Sequence, residues 1–321
     1  MVEDPAQARR QVIAFVAITL GASFALEGLM IARGGITGSL RLLVLPVMWM
    51  PALTSFGLRL AFRSGFRDVG WAAGSLRYLV IAWILPLAVA GVAYALAWTL
   101  GVGALEKPDE AWLRTMTPTR AFFAALGANG TLGVLVGSLF AAGEELGWRG
   151  YLLERLFRAG IRRPLLWSGV IWSIWHWPLI LWGGYSTSAH PWVSALQFLW
   201  SASAVAVIIG WLRLTSGSIW TAVLMHAAHN AFFQDVFMAF TRGGHSSRTS
   251  SGTPVCFPRS CIPRSPGGSG GPGGWLACHG RPVQRRPRAP LPLDRPSQLD
   301  FRIQWARRSS SARIAAGWAA W

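Results

Sequence analysis

The sequence predicts an all-α protein, a polytopic membrane helical bundle of about seven spans with a disordered C-terminal tail. Hydrophobic residues make up 52% of the 321 residues and charged residues only 13%, too few charges to cover a water-soluble globule of this length. Long apolar runs fill residues 1–241, and they stop where a stretch rich in Gly, Pro, Ser and Arg begins at residue 242. We therefore expect a transmembrane domain over 1–241 and a tail over 242–321.

A membrane-spanning helix needs about 20 mostly apolar residues. The segments of sufficient length are residues 11–32, 39–62, 78–100, 121–154, 164–183, 192–213 and 218–240. The fourth is too long for one straight span, and we expect its GANGT sequence at 127–131 to break it, because glycines weaken a helix. Pro46, Pro51 and Pro86 are acceptable as kinks inside spans.

The basic residues are divided unevenly between the two sets of connecting loops. One set holds Arg9, Arg10, Arg59, Arg63, Arg67, Arg77, Arg155, Arg158, Arg162, Arg163 and Arg213. The other holds Arg33, Arg41, Lys107, Arg114 and Arg120. The positive-inside rule assigns the richer set to the cytoplasm, which predicts a multi-pass cell-membrane protein with a cytoplasmic N-terminus.

The net charge of +17 belongs mostly to the tail. Residues 1–241 hold 17 basic and 11 acidic residues, a net of +6, and residues 242–321 hold 13 and 2, a net of +11. The membrane part therefore needs no polyanionic partner, and no nucleic acid is expected. We expect the lipid bilayer to be its main environment.

The tail has neither helical nor strand periodicity, which predicts disorder. It holds all three cysteines, Cys256, Cys261 and Cys278, at spacings that fit no standard zinc site. The change of composition after FQDVFMAF is abrupt, and seven spans would place the tail's arginines outside the cell. We hypothesise a frameshifted end that replaces an eighth span; the absence of an apolar helix from the other reading frames of the gene would contradict this.

Ionisable side chains inside the spans are the candidates for function, because they are costly in a bilayer unless they are paired. Glu145 and Arg149 are four residues apart on the fourth span, so they share a helix face and can neutralise each other. Glu144 is rotated from Glu145 by about 100°. Gly147 and Trp148, three and four positions after Glu144, are not basic, so Glu144 has no partner on its own helix.

Two other spans carry polar groups at a similar depth. His176 lies on the fifth span, one turn after Trp172, and His226 and Asn230 share a face of the seventh. At 1.5 Å per residue, the four polar groups Glu144, His176, His226 and Asn230 lie about 16, 18, 12 and 18 Å from the inner ends of their spans. Packing and hydrogen bonding between helices would explain each one alone, but convergence on one level predicts a buried site.

The residue types fit the hydrolysis of an amide. A carboxylate beside an imidazole can hold a water molecule and take its proton, which fits Glu144 and His176. An imidazole N–H and an asparagine amide can stabilise the developing oxyanion, which fits His226 and Asn230. No cysteine lies in the spans and no serine has an assigned base, so attack by an activated water is the simpler mechanism.

Zinc is the alternative means of activating this water, with Glu144, His176 and His226 as its ligands. The HAAHN sequence differs from the H-E-x-x-H pattern of zinc proteases. A ligand set with only one histidine from each contributing span is also less typical of catalytic zinc. The sequence therefore favours a site without a cofactor and keeps zinc as the alternative.

Three motifs resemble those of a known family in the same order on successive helices: EELGWRG (EExxxR), WSIWH (an aromatic residue before histidine) and HAAHN (HxxxN). On these motifs, residues 10–240 are similar to the CPBP intramembrane proteases, which include type II CAAX prenyl endopeptidases and bacterial Abi proteins. The resemblance implies a membrane helical bundle with protease activity. Similar proteins usually have a further helix after HxxxN, which is missing from this sequence.

The resemblance also implies a role for each motif residue. Glu144 resembles the catalytic glutamate and His176 its partner in activating water. His226 and Asn230 resemble the oxyanion-binding pair. Supporting positions are Glu145, Arg149 and Trp172, the last at a place where Phe is common.

Three functions are compatible with these features. The first is an intramembrane endopeptidase acting on a membrane-embedded or membrane-proximal peptide. The second is a catalytically silent scaffold or bacteriocin-immunity-type protein that uses the same cavity for binding. A proton-coupled transporter is the third and ranks last, since no pair of interrupted helices is repeated in two halves.

Overall fold

The computed structural model describes residues 4–186 and 190–243, and this part is predominantly helical, which confirms the all-α class. Its α-helices are α1 (Pro5–Ala32), α2 (Val44–Ala61), α3 (Leu76–Thr99), α4 (Pro118–Ala128), α5 (Val134–Gly147), α6 (Leu153–Arg158), α7 (Pro164–Trp175), α8 (Trp177–Leu181), α9 (Pro191–Ser216) and α10 (Ile219–His229). Wider π-helical segments occupy Asn129–Gly133, Trp148–Leu152 and Asn230–Met238. Short 3-10 turns occupy Gly35–Thr37, Arg41–Leu43, Arg67–Val69 and Ala111–Leu113.

Two short strands pair with each other, and the second of them ends the described chain. Strand β1 (Gly103–Leu105) runs antiparallel to β2 (Thr241–Gly243), with Gly103 opposite Gly243. The first two residues of the predicted tail, 242 and 243, therefore belong to β2. The remainder of the tail, its three cysteines and the hypothesised eighth span lie outside the described residues.

Five helices of the described chain are long and apolar enough to cross a membrane. They are Pro5–Ala32, Arg41–Ala61, Leu76–Thr99, Pro118–Arg158 and Pro191–Ser216. They agree with the predicted first, second, third, fourth and sixth spans. The prediction of a polytopic membrane bundle is thereby confirmed, although two of the seven expected spans differ.

The fourth span is not broken at GANGT, contrary to the prediction. The helix continues through the π-helical segment Asn129–Gly133, and Pro118–Arg158 forms one helix of 41 residues. The Asn129 side chain donates to the Ala125 carbonyl at 3.0 Å, which keeps this polar residue inside the helical path. The extra residue of a π-turn widens the helix without ending it.

The predicted fifth and seventh spans are the two that differ. Residues 164–183 form α7 and α8, two short helices that meet at His176, where Pro178 removes a backbone donor that a continuous helix needs. Residues 218–240 form α10 and the π-helical segment Asn230–Met238. The polar residues of this last helix lower its mean hydropathy, and it is absent from the five long apolar helices.

Helix α5 carries the EELG sequence and packs closely on α2. A Cβ atom added at Gly147 would lie 2.3 Å from the Cβ of Pro51, and one added at Gly143 would lie 2.8 Å from the backbone oxygen of Met48. No larger residue fits at either position without moving the backbone. The two glycines bracket Glu144 and Glu145, so this close approach sets the position of both acids.

Four arginines surround Asp68, in the turn Arg67–Val69. Arg59 forms an ion pair with its carboxylate, and Arg155 and Arg158 each donate to its Oδ2 at 2.8 Å. Arg213 donates to its backbone carbonyl at 2.8 Å. The cluster joins α2, α6 and α9 to one turn, and all four arginines belong to the richer of the two predicted loop sets.

The charge of Asp68 is essential to this cluster. Burial alone would raise the pKa of the Asp68 carboxyl, but the charges and hydrogen bonds of Arg59 and Arg155 outweigh it, and the pKa lies below its ordinary value. This stabilisation is therefore present at neutral pH, above the ordinary pKa of an aspartate. It is lost as the pH falls through the lowered pKa.

We expect Asp68→Asn to lower the free energy of unfolding by on the order of 3 kcal/mol at pH 7, because buried arginines lose their counter-ion. Thermal unfolding in detergent measures the change. The matched control is Asp109→Asn, whose exposed ion pair with Arg114 spans 3.1 Å and should contribute nothing measurable. Equal melting temperatures for the two variants would contradict the assigned role of Asp68.

Candidate active site

A buried ion pair lies at the centre of the site. The Oε1 atom of Glu145 accepts from Nη1 of Arg149 at 2.7 Å and from Nδ1 of His226 at 2.8 Å. The side chains of Glu145 and Arg149 are both fully buried. The predicted pairing at a spacing of four is therefore present, and it also ties α5 to α10.

Glu144 has a partner on a neighbouring helix. Its Oε2 accepts from the indole Nε1 of Trp172, on α7, at 2.7 Å, and both residues are buried. The sequence showed no partner for Glu144 on its own helix, and the contact from α7 does not follow from spacing along the chain. It engages one oxygen of the carboxyl group and leaves Oε1 for another interaction.

His176 lies at the junction of α7 and α8. Its Nδ1 is 2.9 Å from the backbone carbonyl of Trp172. A carbonyl only accepts hydrogen bonds, so this contact requires the proton on Nδ1 and leaves Nε2 of the neutral ring as an acceptor. The rings of Trp175 and Phe198, each 4.7 Å away between centroids, restrict the imidazole on two sides.

Trp172 connects the two halves of the site. Its ring centroid lies 5.4 Å from that of His176 and 5.3 Å from that of His226, and the guanidinium carbon of Arg149 lies 4.8 Å from its ring. Together with the bond to Glu144, these contacts place one tryptophan against four of the predicted site residues. Its large aromatic surface and its single N–H donor allow it to contact all four residues at once.

Glu144 and His176 line the same cavity, which has a volume of about 60 Å³. Its other walls are mainly apolar and come from α1, α2, α8 and the segments beside them. No hydrogen bond joins Glu144 directly to His176 among residues 4–186 and 190–243. The cavity is large enough for more than one water molecule. The polar side chains that line it are Glu27, Glu144, His176 and Tyr185.

His226 and Asn230 are bonded to residues outside this cavity. His226 bonds to Glu145, and Asn230 Oδ1 accepts from Nε2 of Gln234 at 3.3 Å. Asn230 begins the π-helical segment, so regular α-helical spacing ends at His229. Neither His226 nor Asn230 is a lining residue of the cavity that holds Glu144 and His176.

Glu27 of α1 is a cavity residue that none of the three motifs indicates. It is 1% exposed and lines the cavity with Glu144 and His176. A single acid inside an otherwise apolar span is the signal that would have identified it. The flanking residues Leu26 and Gly28 do not form a recognisable motif with it.

The alternative zinc set consists of Glu144, His176 and His226. Each imidazole has its Nδ1 engaged and would bind a metal through Nε2. Within the described part of the chain, no three His, Cys, Asp or Glu side chains are grouped closely enough to hold an ion. Binding of zinc would therefore require these side chains to move, and it stays a prediction that a chelator tests.

Comparison with known proteins supports the family resemblance. Residues 127–232 match the family described as Rce1-like, type II CAAX prenyl endopeptidase. This range contains all three motifs, from Glu144 to Asn230. The segment is Rce1-like.

A relative of this Rce1-like segment is known from Methanococcus maripaludis. It is named CAAX prenyl protease 2 and is 34% identical over 93 residues, which are 27% of this chain and 34% of the relative. The chain thus spans about a third of the length of the relative that it matches. The resemblance to the intramembrane protease family is confirmed for this segment, and with the long apolar helices it identifies a multi-pass membrane protein.

We expect Trp172→Phe to lower the free energy of unfolding by about 1–3 kcal/mol, because it leaves a buried oxygen of Glu144 without its donor. Thermal unfolding in detergent measures the loss. Trp167→Phe is the matched control, since Trp167 lies on the same helix but is 50% exposed. A loss as small as that of the control would show that the bond to Glu144 contributes little.

Proposed function

We propose that this protein is an intramembrane endopeptidase that hydrolyses a peptide bond with a water activated by Glu144 and His176. The observation that carries the proposal is the shared cavity, in which both groups face the same space among membrane helices. The Rce1-like sequence of the surrounding segment supports the same reaction class.

The two groups are suited to hold one water molecule. The free oxygen of the Glu144 carboxylate and Nε2 of His176 are both acceptors, so a water between them would donate one hydrogen to each. Its lone pairs would then point away from both groups towards a substrate carbonyl. As the water oxygen attacks the carbonyl carbon, Glu144 takes a proton, and it returns this proton to the leaving amine when the C–N bond breaks.

His226 and Asn230 would stabilise the negative oxygen of the tetrahedral intermediate. Because the Nδ1 hydrogen of His226 is directed at Glu145, donation to an oxyanion requires a second proton on Nε2. The Glu145 carboxylate is a counter-ion for that doubly protonated ring. Asn230 has its oxygen bonded to Gln234, which leaves the amide nitrogen as the donor.

The proposal includes the environment and orientation of the chain. We assign a membrane-embedded or membrane-proximal peptide as substrate and the lipid bilayer as the surrounding phase. We assign the N-terminus to the cytoplasm on the positive-inside count. Support comes from the meeting of Arg59, Arg155, Arg158 and Arg213 at Asp68.

We expect Glu144→Gln to reduce cleavage at least about 100-fold, because an amide cannot take the proton of water. The measurement is mass spectrometry of a membrane-peptide library incubated with the full-length protein, with and without a strong chelator. The melting temperature should change little for Glu144→Gln, while Glu145→Gln and Arg149→Ala should lower it. Glu106→Gln is the matched control, since Glu106 is half exposed.

Other outcomes separate the competing functions. Full activity in Glu144→Gln would contradict the assignment of the base. Loss of wild-type activity in chelator would favour zinc. Specific peptide binding without cleavage by the wild-type protein would favour the scaffold or immunity-type function.

A further inference from the structure

Glu27 is a buried carboxyl group without a partner in the cavity. It is 1% exposed, and its Oε2 atom makes no hydrogen bond within the described residues. Glu144 in the same cavity has the indole of Trp172 as its donor. Glu27 is therefore an acidic group of this cavity that no described hydrogen bond engages, in addition to the free oxygen of Glu144.

An unpaired carboxylate is expensive at this depth, and either protonation or a bound cation removes the cost. His176 is the basic side chain among the cavity-lining residues. Its Nδ1 is engaged by the Trp172 carbonyl, and the proposed reaction uses its Nε2 for water. A cation that binds Glu27 in its ionised form would therefore come from a bound molecule.

The walls beside Glu27 have a complementary character. Ile36, Val44, Val47 and Met48 line the cavity with it, so the cavity combines apolar walls with the Glu27 carboxyl group. Lysine and arginine side chains combine an apolar stem with a cationic end, and they bury the stem along such surfaces. A peptide with a basic side chain would supply both the apolar contact and the missing cation.

We propose that Glu27 is a specificity-determining residue that binds a lysine or arginine side chain of the peptide substrate close to the bond that is cleaved. This proposal rests on the proposed endopeptidase function in treating the bound peptide as a substrate that is cleaved. Binding of the basic side chain does not itself require catalysis. The class of ligand is a peptide with one basic residue in an apolar sequence. An acidic residue at the same peptide position would be rejected by like charge.

The test is a binding measurement with the full-length Glu144→Gln variant, in which the proposed base is removed. Fluorescent apolar peptides carry one lysine, or norleucine in its place, at each position in turn. At the best position the lysine peptide should bind at least about tenfold more tightly than its norleucine counterpart. Adding Glu27→Gln should abolish this preference completely. Glu27→Asp, which keeps the charge, should retain part of the preference, and the half-exposed control Glu106→Gln should retain all of it.

Equal affinity for lysine and norleucine peptides at every position would overturn the proposal. So would a lysine preference that survives in Glu27→Gln. If Glu27→Gln does not fold, the ratio of lysine-peptide affinity to norleucine-peptide affinity is measured in Glu27→Asp instead. An unchanged ratio, with both affinities lowered equally, would show a merely structural role for Glu27. Failure of the endopeptidase function appears separately, as absence of cleavage by the wild-type protein while the lysine preference persists.

Discussion

The ion pair of Glu145 and Arg149 is the interaction on which the rest of the site depends. Two charges removed from water inside a membrane bundle are tolerated because they neutralise each other. Oε2 of Glu145 and Nε and Nη2 of Arg149 make no hydrogen bond within the described residues. The same oxygen of Glu145 that binds Arg149 also accepts from His226, so the pair fixes the rotation of α5 relative to α10. This rotation in turn directs Glu144, the preceding residue, towards α7 and the indole of Trp172.

The scaffold around this pair keeps the reacting groups in place. Close packing of Gly143 and Gly147 on α2 fixes the position of α5. At the end of the bundle, the Asp68 cluster holds α2, α6 and α9 to one turn. A proposed water between Glu144 and His176 gains from such rigidity, since a catalytic group displaced by about 1 Å loses much of its effect.

Hydropathy and spacing predicted the parts of the structure that depend on local sequence. The four spans over α1, α2, α3 and α9 follow from long apolar runs, and the pairing of Glu145 with Arg149 follows from helical periodicity. The bond from Trp172 to Glu144 joins two helices, and no period along one helix predicts it. The uninterrupted helix at GANGT depends on a π-turn, which average glycine propensities do not reveal.

The remaining errors also have physical causes. The high hydropathy of residues 164–183 concealed the break at His176, where Pro178 interrupts the backbone bonding. Glu27 is visible in the sequence as a single acid inside an apolar span, but only the folded bundle shows that it lies at the cavity. Sequence motifs thus indicated the residues on α5, α7 and α10, while the contribution of α1 required the three-dimensional structure.

The central claim is that Glu144 and His176 act on one shared water, and a double-mutant cycle tests it most directly. The values of kcat/KM are measured for the wild type, Glu144→Gln, His176→Ala and the double variant on one cleaved peptide. Two groups that act on the same water depend on each other, so the double variant should be no more than a few-fold less active than the weaker single variant. A double variant whose loss equals the product of the two single losses would contradict the shared water.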